Sequence, residues 1–261
     1  MGARAMPEDP RSTREIYDRS SASWARTDKL LLSDFTARPF VLDRLQPLAG
    51  CRVLDLGCGE GYVARQIQAA GAASVLGIDL SPGMIDQARI EEERNPQGIE
   101  YRQADAAELA GTGDGAFDRV AAVFLFNYVE TGVMTEVMRR VHRCLAPGGR
   151  FVFTVPHPSL PFMRGEAPPF FFQRDGAGYF TARDRTLEGS IWRRDGVVVP
   201  VRCVHKPLEA YFEALHAAGW TGMPEVLELR VQPEHVELDR TFFEPLVDHP
   251  LHLLFAVERP E

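Results

Sequence analysis

From Cys51 onward the apolar positions follow two alternating rhythms. Short runs rich in Val, Ile, Leu and Phe give way to segments whose apolar residues recur every three or four positions. A short run bounded by turn residues reads as a strand, and the longer period reads as one face of a helix. The runs predict strands at 52–55, 74–79, 99–103, 117–124, 150–156, 226–231 and 251–258. Between them, Tyr62, Val63, Ile67 and Ala70 share a face, and Gly71 is placed to stop that helix in a left-handed conformation. Ser81-Pro82 offers an N-cap and a first-turn proline ahead of Met84, Ile85 and Ala88. Val133, Val137, Val141 and Leu145 form a stripe that ends at Pro147-Gly148-Gly149. Lys206-Pro207 opens a helix carrying Leu208, Tyr211, Phe212 and Leu215 before Gly219. This alternation predicts an α/β fold, a doubly wound and mostly parallel sheet covered by helices.

Two stretches interrupt the rhythm. Residues 157–205 join a strand to a helix that a few residues would connect, and they hold Phe162, Phe170, Phe171, Phe172, Tyr179, Phe180 and Trp192. A connection of this length is usually functional. Within it, 187–194 and 197–205 flank Asp195-Gly196, the signature of a β-hairpin with a type I′ turn. Its aromatic side chains serve either a local minicore or a flat, greasy acceptor, and the hairpin offers an edge for homodimer pairing. The other interruption precedes the first strand: polar residues 1–14 read as a disordered tail and 15–48 as a helical segment. The main domain then spans 49–261, with the substrate-cap insertion at 157–205.

Composition narrows the function. The 261 residues carry 29 Lys+Arg against 37 Asp+Glu, a formal net charge of -8. Extensive phosphate contact needs a basic stripe, so nucleic acid is not an expected partner. The longest apolar run, 120–126, is far short of the ~20 residues a membrane helix requires. The N-terminus lacks the apolar core of a secretory signal, which makes a cytoplasmic location the expectation. Cys51, Cys58, Cys144 and Cys203 form no C-x-x-C pair, which argues against zinc and against a disulfide framework. No metal site is expected.

The most informative stretch is Val53-Leu54-Asp55-Leu56-Gly57-Cys58-Gly59-Glu60-Gly61. A buried strand runs through glycines into a helix, bringing backbone N–H groups close to a ligand. The dinucleotide fingerprint spaces its third glycine one residue later, and a carboxylate two residues before the turn repels phosphate while attracting an ammonium. Both features disfavour a nicotinamide-dinucleotide domain. Asp79 ends the second predicted strand, where a carboxylate can accept from a ribose diol, and Asp105 follows the third, within reach of an adenine amine.

Val53–Gly61, taken with Asp79, Asp105-Ala106, Phe117-Asp118 and Leu145-Ala146-Pro147-Gly148-Gly149, resembles the class I S-adenosylmethionine-dependent methyltransferases over about residues 51–156. The resemblance implies a Rossmann-like, seven-stranded sheet with an antiparallel last strand and S-adenosylmethionine lying across the strand ends. By position it implies that Asp55 and the turn of Gly57, Cys58, Gly59 and Gly61 hold the methionine moiety, Asp79 with Leu80 the ribose, and Asp105 with Ala106 the adenine. Met84 would pack on the adenine ring, and Phe124 would border the cofactor. Tyr17 to Trp24 resembles the N-terminal lid of small-molecule members.

Methyl transfer is an in-line displacement, so geometry supplies much of the rate and a base is needed only where the acceptor loses a proton. His157, following a strand between two prolines, is the first candidate base. His205 resembles a histidine found before the penultimate helix in relatives, where loop pinning competes with catalysis. Tyr128 and Asn127 can orient an acceptor, and Phe162, Phe171, Tyr179 and Trp192 can bind it. The insertion arginines Arg164, Arg174, Arg183, Arg185, Arg193 and Arg194 are either anion receptors or solvated cations. The reading is O- or N-methyl transfer to a small, specialised-metabolite acceptor. C-methylation, an RNA or protein substrate, and a scaffold that has lost transfer are its alternatives.

Overall fold

The computed structural model describes Trp24, residues 28–109 and residues 112–261. The described residues form ten strands: β1 Arg52–Leu56, β2 Ser74–Asp79, β3 Glu100–Gln103, β4 Phe117–Val123, β5 Leu145–Pro156, β6 Phe170–Phe172, β7 Thr186–Trp192, β8 Val198–Val204, β9 Glu225–Leu229 and β10 His252–Glu258. Seven of them form one sheet in the order β3-β2-β1-β4-β5-β10-β9. β10 runs antiparallel to both neighbours, while β1 to β5 pair in parallel. The seven-stranded Rossmann-like sheet with one antiparallel strand is therefore present. The strand order reverses between β1 and β4, which opens a crevice at their carboxyl ends, the place where such sheets bind ligands.

Hydrophobic periodicity explains how the faces are covered. Val137, Met138 and Val141 on helix Thr131–Cys144, with Tyr211, Ala214 and Leu215 on helix Leu208–Ala217, pack against Phe151, Phe153 and Phe255 on one face. Val41 and Leu45, Val63 and Ile67, and Ile85 and Ala88 cover the other. Gly71 lies at φ +96° directly after helix Tyr62–Ala69, the left-handed stop expected of it. Ser81 caps helix Pro82–Arg94 by accepting from the Met84 amide at 3.1 Å.

The insertion builds a second, three-stranded sheet, β6-β7-β8. β7 and β8 are the expected hairpin, but its turn is not type I′. That turn needs two left-handed residues, and only Gly196 has positive φ, +86°. Arg193 binds Asp195 through Nε at 3.1 Å, and the Gly196 amide donates to the Arg193 carbonyl at 2.9 Å. Asp195 thus stays in ordinary space, and glycine forms a bulge behind the turn. The hairpin end docks on the chain before helix Leu32–Thr36: Leu31 bridges Arg193, and the Arg194 amide donates to the Leu30 carbonyl at 2.9 Å. No helix among the described residues is long and apolar enough to cross a membrane.

Candidate active site

A cavity of about 270 Å³ opens over the carboxyl ends of β1, β2 and β4. Its floor is the glycine turn. Amides of Gly57 and Cys58 donate to the Ile78 carbonyl at 2.8 and 3.0 Å, holding the turn against β2. Asp79 bridges two loops, accepting from Gly59 N and Ser81 N, each at 2.9 Å. Gly59 has φ +56°, and a Cβ there would meet nothing within 4 Å, so this glycine leaves open space for a ligand. Gly61 serves packing instead, since a Cβ would run into the Tyr101 phenol.

Asp55 is the anomaly of the floor. Its carboxyl group is wholly buried, and neither oxygen makes a hydrogen bond of ordinary geometry among the described residues. Burial, reinforced by Asp79 and Glu60, raises it to about 7, while Arg38 and the Ala64 amide pull the other way. A buried carboxyl group held this far above its ordinary value is one that a cation would return to its charged form.

Above the floor stand Phe124, Leu125, Asn127 and Tyr128, at the end of β4 and in the 3₁₀ turn Phe126–Tyr128. Phe124 adopts φ +59°, a strained conformation for a bulky residue, and its amide is fixed to the Thr154 carbonyl at 2.9 Å. Lys206, 1% exposed, ties the turn down by donating to the Phe126 and Val204 carbonyls, both at 2.9 Å. Burial lowers this ammonium to about 8.

Of the expected cofactor residues, Trp24, Asp55, Gly57, Cys58, Gly59, Asp79, Leu80, Met84, Asp105, Ala106 and Phe124 all line the cavity. Gly61 lies behind it, and Tyr17 is outside the described residues. Asn127 and Tyr128 line it too. The two candidate histidines do not. His157 binds Glu228 through Nε2 at 3.0 Å and accepts from the Ser159 amide, so its ring is spent on the loop. His205 meets the Tyr179 carbonyl through Nε2 at 2.8 Å and packs with Phe162 and Tyr179. Tyr179 in turn accepts from the Leu208 amide at 2.8 Å. Phe162, Tyr179 and His205 form a brace outside the cavity.

Phe171 and Trp192 are also corrected, for a reason of parity. Successive strand residues face opposite sides. Phe171 pairs with Trp192 on the outer face, while Phe170, Phe172, Ile191 and Val201 face the cavity. None of the six insertion arginines lines it. Arg164 donates to the carbonyls of Phe170, Ala167, Pro168 and Pro245, Arg183 pairs with Glu213, and Arg194 pairs with Asp239.

Arg38 and His252 are among the cavity residues that sequence reasoning missed. Arg38 pairs with buried Asp34 at 2.9 Å, bonds Ser33, and lies over the rings of Tyr62 and Phe124. His252 opens β10, 3% exposed, with its ring edge-on to Phe124 at 5.1 Å. The available signal was a lone histidine heading the apolar run Leu253–Val257. Among the described residues no group of three or more His, Cys, Asp and Glu side chains is placed to hold a metal ion.

Comparison with known proteins agrees with this geometry. Residues 53–149 match the family described as "Methyltransferase domain". A ubiquinone biosynthesis O-methyltransferase of Aromatoleum aromaticum is 36% identical over 113 residues, 43% of this chain and 47% of the relative. The chain thus matches about half the length of such curated relatives. An S-adenosylmethionine-dependent methyltransferase structure from Mesorhizobium loti superposes with TM-score 0.63 at 28% identity, covering 85% of this chain and 96% of that one. A putative one from Listeria monocytogenes gives 0.62 at 22% identity, with coverage of 85% and 96%, and supports the fold. Residues 53–149 are thus a methyltransferase domain, and the chain around them has the fold of S-adenosylmethionine-dependent methyltransferases.

Proposed function

We propose that this protein transfers a methyl group from S-adenosylmethionine to a hydroxyl oxygen of a small, largely apolar metabolite. The observation that carries the reading is the buried Asp55 carboxylate, neither oxygen of which makes a hydrogen bond of ordinary geometry among the described residues, beside an open glycine turn. The ammonium of a methionine moiety supplies the cation that this acid lacks. Asp79 and Asp105, at the ends of the next two strands, suit a ribose diol and an adenine amine. Arg38, which also lines the cavity, is suited to the methionine carboxylate. When bound, S-adenosylmethionine supplies an electrophilic methyl carbon on a sulfonium.

The chain's own contribution is placement. Phe124, Asn127 and Tyr128 border the space next to the floor. Leu31, Leu32, Phe170, Phe172, Ile191 and Val201 form an apolar roof that excludes water and favours an uncharged, flat acceptor. Oxygen as the receiving atom is supported by the O-methyltransferase relatives. Trp24, the one described residue of the N-terminal segment expected to form a lid, lines this space.

S-adenosylhomocysteine at a hundred times its dissociation constant stabilises a protein by about 2.7 kcal/mol, a melting-temperature rise of roughly 5–10 °C for a chain of this size. A thermal melt reads this directly, and no rise rejects the proposal. Asp79→Ala weakens that binding at least about tenfold by calorimetry, through loss of both its ligand bonds and its bridge to Gly59 and Ser81.

A further inference from the structure

The His252 ring has a fixed tautomer. Its Nε2 lies 3.2 Å from Thr36 Oγ1, and Thr36 gives its single hydroxyl proton to the Leu32 carbonyl at 3.0 Å. Thr36 is left only to accept, so Nε2 carries the ring proton and Nδ1 carries the lone pair. That Nδ1 is buried and without a hydrogen-bond partner among the described residues. Asn127 Oδ1 shares this condition, and both side chains line the cavity. Buried acceptors without donors are costly, and the donor that answers them belongs to a ligand. The surrounding rings of Phe124 and Phe170, at 5.1 and 5.8 Å, leave apolar walls around the nitrogen. An O–H group on an aromatic or otherwise apolar body matches this combination, whereas a carboxylate or phosphate without a proton to give would leave both acceptors unanswered.

We propose that His252, oriented by Thr36, is the hydrogen-bond acceptor for the substrate hydroxyl that receives the methyl group, and that it takes the hydroxyl proton. This rests on the methyl-transfer reading above. As the hydroxyl oxygen forms its bond to the methyl carbon with one of its lone pairs, the pair of the carbon–sulfur bond returns to sulfur. The O–H proton passes to Nδ1. One positive charge leaves sulfur and one appears on the imidazole, so the site's net charge is unchanged. Burial, with Arg38 and His157 nearby, lowers the ring to about 3 in the resting protein. It therefore waits as a neutral acceptor and releases its proton to water once product departs.

The test uses the whole chain saturated with S-adenosylhomocysteine, with 2-naphthol and its methyl ether 2-methoxynaphthalene as probes followed by fluorescence. Wild type binds the naphthol about tenfold more tightly than the ether. His252→Phe, which fits between two phenylalanines, loses this preference while keeping its affinity for S-adenosylhomocysteine. His252→Asn, whose amide oxygen can occupy the place of Nδ1, restores part of it. Labelled methyl transfer to 2-naphthol falls at least about tenfold in His252→Phe and less in His252→Asn. An unchanged preference in His252→Phe overturns the assignment, as does failure of wild type to distinguish or bind the two probes. Binding with preference but without transfer overturns the proton-accepting role. Loss of S-adenosylhomocysteine binding by wild type itself rejects the underlying methyl-transfer reading instead.

Discussion

Three aspartates at successive strand ends were legible because each sits at a junction where strand chemistry stops and turn chemistry begins. Their surroundings were not legible, and those surroundings set their behaviour. Asp55 illustrates the difference. Its folded value of about 7 lies above the ordinary 3.8, so between these pH values the native protein holds a proton that the unfolded chain has released. Unfolding free energy therefore falls as pH rises through that window. Asp55→Asn removes this dependence: between pH 5 and 7, wild type loses about 2 kcal/mol relative to the variant in denaturant titrations. His252 has the opposite sign. Its folded value of about 3 lies below 6.5, so its contribution to stability rises with pH between those limits. His157 drew notice through its flanking prolines, yet those same constraints turn its ring to Glu228 and the Ser159 amide. His252 and Arg38 stood in apolar surroundings without any motif, and only the packing of β10 against β5 and of the first helices over the floor reveals them.

Among elements, six strands of the large sheet were readable from the sequence to within two residues, the central ones because buried parallel strands need uninterrupted apolar runs, whereas β5 begins at Leu145, five residues before the expected Arg150. The short helices Pro233–Leu238 and Arg240–Phe243 were not, since one turn carries no periodicity. β6 failed for another reason. Phe170, Phe171 and Phe172 are chemically identical, so composition cannot say which of them face inward, and only pairing with β7 sets their parity. The consequence is measurable. Phe172→Ala, at a 4% exposed position in the minicore with Leu187 and Val201, costs about 3 kcal/mol by chemical denaturation and weakens binding of apolar acceptors. Phe171→Ala, on the outer face beside Trp192, stays within about 1 kcal/mol and leaves acceptor binding unchanged.

At the scale of the molecule, the acidic balance of -8 is distributed with purpose. Many exposed acids pair with arginines, as in Arg44–Glu225, Arg52–Asp118 and Arg150–Glu258. Asp55 on the cavity floor makes no ion pair of this kind among the described residues. The surplus length beyond the cofactor core, expected to carry substrate choice, supplies the roof: residues from Leu31 to Ser33 and the β6-β7-β8 sheet.

Floor and roof come from two separate sheets, and this separation gives the protein a route for change. Mutations in Ile191 or Val201 can drift without disturbing the turn that Asp79 braces, so new acceptors can be sampled while cofactor affinity is held constant. Replacing Ile191 and Val201 with alanine should reorder a panel of aromatic alcohols by binding affinity yet leave S-adenosylhomocysteine titrations superimposable on wild type. A lineage built on this plan can diversify its chemistry one wall at a time.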